Sequence, residues 1–154
     1  STLDLRRQLS QIGEIVLLGE SDGTLHVTFD HVMVSFFHYG YGLLFPMVKF
    51  EGLMLADERD IAAMKLDAVS SRGSRKDFID IYELLKKYTL TELIEFFEKK
   101  YTGIKYNMLH ILKSLVYFAD ADGEPSPVML HDAGWDDIKQ SIIQAVSALS
   151  KKRN

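Results

Sequence analysis

The hydrophobic period of this chain changes once, near Asp57, and that change limits what it can fold into. Before it, apolar residues alternate or run in short blocks. Ile15 to Leu18 is such a block, Leu25, Val27 and Phe29 alternate with His26 and Thr28, and Val32 to Phe37 is a third run. Alternation at period two is the pattern of a half-buried strand, and a short apolar block suits a buried one. Ser21-Asp22-Gly23 and Asp30-His31 read as turns, so the second and third runs predict a hairpin. Residues 47–50 and 53–55 flank Glu51-Gly52 and read as shorter strand pieces.

After Asp57 the spacing is helical. Asp57 caps a helix that reaches about Arg72, where Gly73 ends it. Ser74 opens a second helix, to Tyr88, with Asp77 placed for a reciprocal cap. Thr89 caps a third, with Glu92 in capping-box register, to about Tyr101. A fourth is predicted over residues 105–118 and a last one over 135–152, with an acidic loop over 119–134 between them. A short helix over 2–12, capped by Ser1, precedes the strands. Strands first and helices second predict an α+β chain, divided into a strand region at 1–56 and a helical domain at 57–154.

Composition bounds the function. The chain has 154 residues, 47% hydrophobic and 26% charged, enough for one core or two small ones. A net charge of −4 gives no overall basic footprint for nucleic acid. Cysteine is absent, which removes disulfides, thiolate metal sites and Cys nucleophiles and agrees with a cytoplasmic protein. No apolar run has the length of a membrane span, so no membrane partner is expected. The opening on Ser1, without Met, suggests a processed end or a fragment.

The charged residues gather between Asp60 and Asp80. Lys65 and Arg72 stand almost two helical turns apart, on one side of the first long helix, beside Ala62, Leu66 and Val69. Asp60, Asp67 and Ser71 are expected on its wetter face. Arg75 and Lys76 then precede or open a helix whose first amides favour anions. Cations bordering a packed face suit phosphate, so Lys65, Arg72 and Lys76 are the candidate phosphate ligands. Asp77 and Asp80 are read as the carboxylates that position them. Asp80 is placed to pair with Lys76 one turn away, or to orient Lys65 or Arg72.

Lys65, Arg72, Lys76, Asp77 and Asp80 resemble the Lys–Arg–(Lys/Arg)-Asp-x-x-Asp segment of the AbiEii/AbiGii toxin-type nucleotidyltransferases. The phrases at 12–15, 34–37 and 50–53 fit the same pattern, so the resemblance covers nearly the whole chain. It implies the remainder of a nucleotidyltransferase-type mixed sheet followed by a C-terminal helical bundle. It also implies an NTP and Mg²⁺ as ligands of the full-length protein, a cognate antitoxin as partner, and RNA among the acceptors. The family's Gly-Ser or Gly-Gly-Thr turn and Asp-x-Asp pair fall before the region equivalent to Ser1. A third family carboxylate maps to Ser35, a poor Mg²⁺ ligand. The chain alone is therefore expected to be inactive, with no metal site of its own and no cofactor tightly bound. The alternative is a non-catalytic module that binds a partner. A sheet lacking its front would expose an edge and favour self-association.

Other candidates read as structural. Asp120-Ala121-Asp122 has the letters of a metal pair but lies in the late loop. No two of His26, His31, His38, His110 and His131 have helical metal-ligand spacing, and His26 and His38 are expected to meet across the hairpin. Tyr39, Tyr41 and Phe45 could stack a base, but a packed loop is the expectation.

Overall fold

The computed structural model describes residues 1–131 and 133–152, and they form two compact units that part between Tyr41 and Gly42. The chain is α+β. The strand pairings fall into two separate antiparallel sheets, and the second of these belongs to the helical unit.

The first unit opens with α1 (Thr2–Leu9), where Ser1 and Asp4 make a capping box. Strands β1 (Ile15–Ser21), β2 (Thr24–Phe29) and β3 (Val32–Phe37) follow in sheet order β1-β2-β3. Alternation puts Leu25 and Val27 on one face of β2, where both are fully buried. Asp30 and His31 both take positive φ (47° and 67°), as a two-residue turn that matches strand twist requires. The Asp30 carboxylate also accepts the Glu14 amide at 2.8 Å, which ties the turn to the start of β1. Gly13 is needed beside it, because a Cβ there would lie 2.5 Å from the Phe29 ring.

The second unit begins with a loop and the hairpin β4 (Val48–Phe50) and β5 (Leu53–Leu55). Its turn residues Glu51 and Gly52 again have positive φ. Val48, Phe50, Leu53, Met54 and Leu55 are all exposed, so the ribbon carries apolar side chains without a covering layer among the described residues.

Among the described residues six helices follow: α2 (Glu58–Ser71), α3 (Arg75–Leu85), α4 (Leu90–Lys100), α5 (Met108–Ser114), the one-turn α6 (Ala119–Asp122) and α7 (Trp135–Lys152). Helix α2 packs against α3, α4 and α5, and α7 closes the bundle over α3 and α4. Leu66, Phe78, Ile81, Leu93, Leu115, Ile138 and Ile142 fill its centre.

Several boundaries differ from the sequence expectation. The fourth helix is only half as long as predicted. The chain leaves it at Leu115 so that Phe118 can turn inward, where its ring meets Phe78 at 4.8 Å and Trp135 at 6.0 Å. The expected loop over 119–134 holds α6. Asp60 is not on a wet face: it is fully buried, because its carboxylate takes the amides of Leu44 and Phe45 and the ammonium of Lys100.

Candidate functional site

The charged cluster is built at the corner between α2 and α3. Gly73 takes φ +54°, and a Cβ there would sit 3.4 Å from the Val69 carbonyl and 3.5 Å from the Phe78 ring. That left-handed turn folds α3 back, so Lys65 and Asp77, 12 residues apart, meet with Nζ 3.0 Å from Oδ1.

Asp77 is the hub. It is 1% exposed and accepts from Lys65, from the Arg72 Nε at 3.2 Å and from the Ser74 hydroxyl at 2.7 Å. Burial alone would push its pKa up, but these three donors outweigh it and hold the carboxylate below its ordinary value. The expected reciprocal cap is not formed. Ser74 is the N-cap of α3, but its hydroxyl donates to Asp77 instead of accepting a helix amide. The reason is the buried charge: a free carboxylate in this position needs every donor within reach.

Lys65 is bound twice, by Asp77 and by the Asp80 Oδ2 at 2.5 Å. Asp80 thus takes the second of its expected roles and pairs with Lys65, not with Lys76. Burial pulls the Lys65 pKa down, and Asp80 and Asp77 more than reverse it, so the ammonium stays charged. An ammonium has three N–H donors, and these contacts use two of Lys65's. Arg72 is 70% exposed and spends its Nε on Asp77, leaving its two terminal nitrogens without a partner among the described residues. Lys76 is exposed on the first turn of α3 and has no ion-pair partner among the described residues.

These cations border two clefts. Lys65 and Lys76 line one of about 470 Å³, with Asp80 and Glu83 on the same wall and the segment 127–131 opposite. Arg72 lines a smaller one of about 190 Å³ with Ser70, Ser71, His110, Ser114 and Tyr117. In it the His110 Nε2 lies 3.0 Å from the Ser70 carbonyl, a contact that makes Nε2 the protonated nitrogen. The corner therefore joins Lys65, Arg72, Asp77 and Asp80 through one buried carboxylate, while Arg72 faces a different cleft from Lys65 and Lys76.

Arg75 is not free to hold an anion. Its amide donates to Glu124, and its guanidinium donates to the carbonyls of Ala121 and Asp122 and to the Ser126 hydroxyl. The same guanidinium lies 4.7 Å over the Trp135 ring. Asp122 accepts from the Trp135 indole at 2.7 Å and from Lys139 at 3.1 Å, so the Asp-Ala-Asp letters serve the packing of α6 on α7.

His26 and His38 do not pair. The register sets His26 opposite Ser35, and its Nδ1 lies 2.8 Å from the Ser35 hydroxyl. Phe45 packs as a loop residue, edge-on to Phe96 and under the Arg59 guanidinium.

Asp77 has its oxygens filled by three donors, and no group of three or more His, Asp or Glu among the described residues is placed to hold a metal. No described helix is long and apolar enough to cross a membrane.

Sequence reasoning missed the Asp60–Lys100 pair, the Arg75 clamp and the wall at 127–131. Lys100 and Asp60 lie on different helices, 40 residues apart, and no local pattern links them. The wall lies in a segment without periodicity.

The chain is similar to an uncharacterised protein of Aquifex aeolicus (strain VF5), 39% identical over 127 residues. The match covers 80% of this chain and 61% of that protein, so the chain spans less than two thirds of the relative's length. No family model matches the chain. No solved structure matches it.

Proposed function

We propose that this chain is the rear part of a nucleotidyltransferase-fold, toxin-like protein that binds an NTP with Mg²⁺ and transfers a nucleotide to an acceptor. In this reading Lys65 and Lys76 contact phosphate oxygens in the cleft they share, Arg72 offers its terminal nitrogens to the neighbouring cleft, and Asp77 and Asp80 hold the cations in place. The observation that carries it is the unspent donor capacity around one buried carboxylate. Asp77 fixes Lys65 and Arg72 with one bond each, Lys76 stands unpaired beside them, and the donors left over border clefts. A cation held by a buried carboxylate is both positioned and kept protonated, which is what phosphate recognition needs. The resemblance of the Lys65–Asp80 segment to the AbiEii/AbiGii family supplies the reaction class.

Bound Mg²⁺ would neutralise the phosphates and polarise the reacting phosphoryl group. Among the described residues no group of three or more His, Asp or Glu is placed to hold it. The work of this chain is to bind and orient the phosphates and to keep the Lys65 proton in place.

The alternative is a non-catalytic interaction module, favoured by the lack of a metal-holding acid group among the described residues. Calorimetric titration with Mg·ATP, Mg·GTP, Mg·CTP and Mg·UTP separates the two. At least one should bind, and Lys76→Ala should weaken it by about three- to tenfold, a loss of up to about 1.4 kcal/mol, with no change in thermal stability. If none of the four binds, or if Lys76→Ala leaves affinity unchanged, the phosphate assignment fails and the module reading replaces it.

A further inference from the structure

The wall opposite Lys65 and Lys76 has chemistry that phosphate binding does not use. Met129 is partly buried and packs against the helical core. Its two neighbours, Val128 and Leu130, line the cleft and are wholly exposed, at 105% and 98%. That is the alternation of an extended segment with one side chain anchored and the flanking two in water. Val128 and Leu130 put two large apolar side chains in solvent beside the charged wall of Lys65, Lys76, Asp80 and Glu83.

The segment is also tethered at its base. Arg75 holds Ser126 through its guanidinium and Glu124 through its amide, and the indole of Trp135 holds Asp122. Pro127 then limits the backbone where the wall begins. The wall is thus mounted on α3 and α7, while the side chains of Val128 and Leu130 stand in solvent at the edge of the cleft.

We infer that the segment 127–131 is the platform for the base of the nucleotide whose phosphates meet Lys65 and Lys76. This rests on the phosphate reading above and adds the other half of the ligand. The cleft is amphipathic across its width: Lys65 and Lys76, with Asp80 and Glu83, on the α2–α3 side, and the apolar side chains of Val128 and Leu130 on the other. A nucleotide has the same division, with anionic phosphates at one end and a flat base with apolar faces at the other. The cleft's size of about 470 Å³ lies within the usual range for small-molecule sites. The contacts are to side-chain hydrocarbon, so the platform holds a base by stacking and burial and does not read its hydrogen-bonding edge.

The test compares two ligands on three proteins. The ligands are the best-binding Mg·NTP and inorganic tripolyphosphate with the same Mg²⁺, titrated at one fixed salt concentration. The proteins are the full chain, Lys76→Ala, and the pair Val128→Ser with Leu130→Ser. Both Val128 and Leu130 are fully exposed, so their replacement leaves the core intact, and an unchanged thermal midpoint checks this. The expected result is that the serine pair loses about five- to tenfold in NTP affinity and nothing in tripolyphosphate affinity. Lys76→Ala should weaken both ligands. If the serine pair binds NTP as the parent does while Lys76→Ala weakens it, the platform is wrong and the phosphate site stands. If Lys76→Ala changes neither ligand, the phosphate reading is lost and the platform falls with it.

Discussion

Lys100 and Asp60 form a fully buried ion pair, Nζ to Oδ1 2.6 Å, that joins the C-terminal end of α4 to the first turn of α2. Asp60 also accepts the amides of Leu44 and Phe45, and Lys100 donates to the Gly42 carbonyl, so the pair fastens the loop at 42–45 onto the helices.

Breaking that pair from one side should be severe. Removing one partner leaves a buried charge without compensation, at a cost of about 3–5 kcal/mol. Asp60→Asn and Lys100→Met should each lower the denaturant midpoint by that measure. The double variant Asp60→Leu with Lys100→Met should recover part of the loss. Independent, additive losses in the double variant would show that the two residues do not act as a pair.

Arg75 should behave as a clamp. Its guanidinium reaches two carbonyls and a hydroxyl on the segment after α5, and each such bond contributes about 1 kcal/mol. Arg75→Ala should cost about 2–3 kcal/mol and raise amide exchange in residues 121–126. Arg75→Lys should restore little, because an ammonium cannot span three acceptors held in a planar fork. Exchange in 121–126 equal to the parent would contradict the clamp.

Two lysines that share a cleft should differ sharply in stability. Lys76 is exposed and unpaired among the described residues, so Lys76→Ala should change stability by less than about 0.5 kcal/mol. Lys65 neutralises the buried Asp77, so Lys65→Met should cost about 3 kcal/mol. Equilibrium unfolding in urea measures both, and equal effects would mean that Asp77 is satisfied without Lys65.

Acid should weaken the helical unit in a defined window. The Arg59 guanidinium beside Asp57 holds that carboxyl at about 2, below its ordinary 3.8. The folded pKa lies below the unfolded one, so this stability is present above about pH 4 and is lost as pH falls towards 2. Asp60 and Asp77 shift in the same direction and add to the loss. Lys65 shifts upward, so its contribution is complete below about pH 10.5 and disappears only above it. The urea midpoint should be flat from about pH 5 to 10 and fall below 4. Asp57→Asn should flatten part of that fall, and an unaltered profile in this variant would remove Asp57 from the account.

The sequence was most legible where a contact is local. The capping boxes at Ser1 and Thr89, the turn at Asp30-His31 and the stop at Gly73 all depend on a few neighbouring residues. The sequence left Asp80 a choice between Lys76 one turn away and Lys65 or Arg72 across the corner, and the fold takes Lys65. Asp60 defeated the same reasoning: helical phase placed it outward, but an arriving loop and a distant lysine turned it into a core residue. Arg75 looked like an anion ligand because helix N-termini favour anions, yet its partners come from a segment with no periodic signal. Local pattern gives a side chain's direction, while its partner depends on which distant segment packs there.

The left-handed corner at Gly73 has a kinetic consequence. Lys65 and Asp77 are 12 residues apart, so bringing them together closes a short loop at small entropic cost. The α2–α3 pair can therefore assemble before α7 returns from the far end of the chain to cover it. That order predicts that Asp77 is part of the folding nucleus of its unit. Substitutions at Gly73 or Asp77 should then slow folding more than they hasten unfolding, while those on α7 should do the reverse.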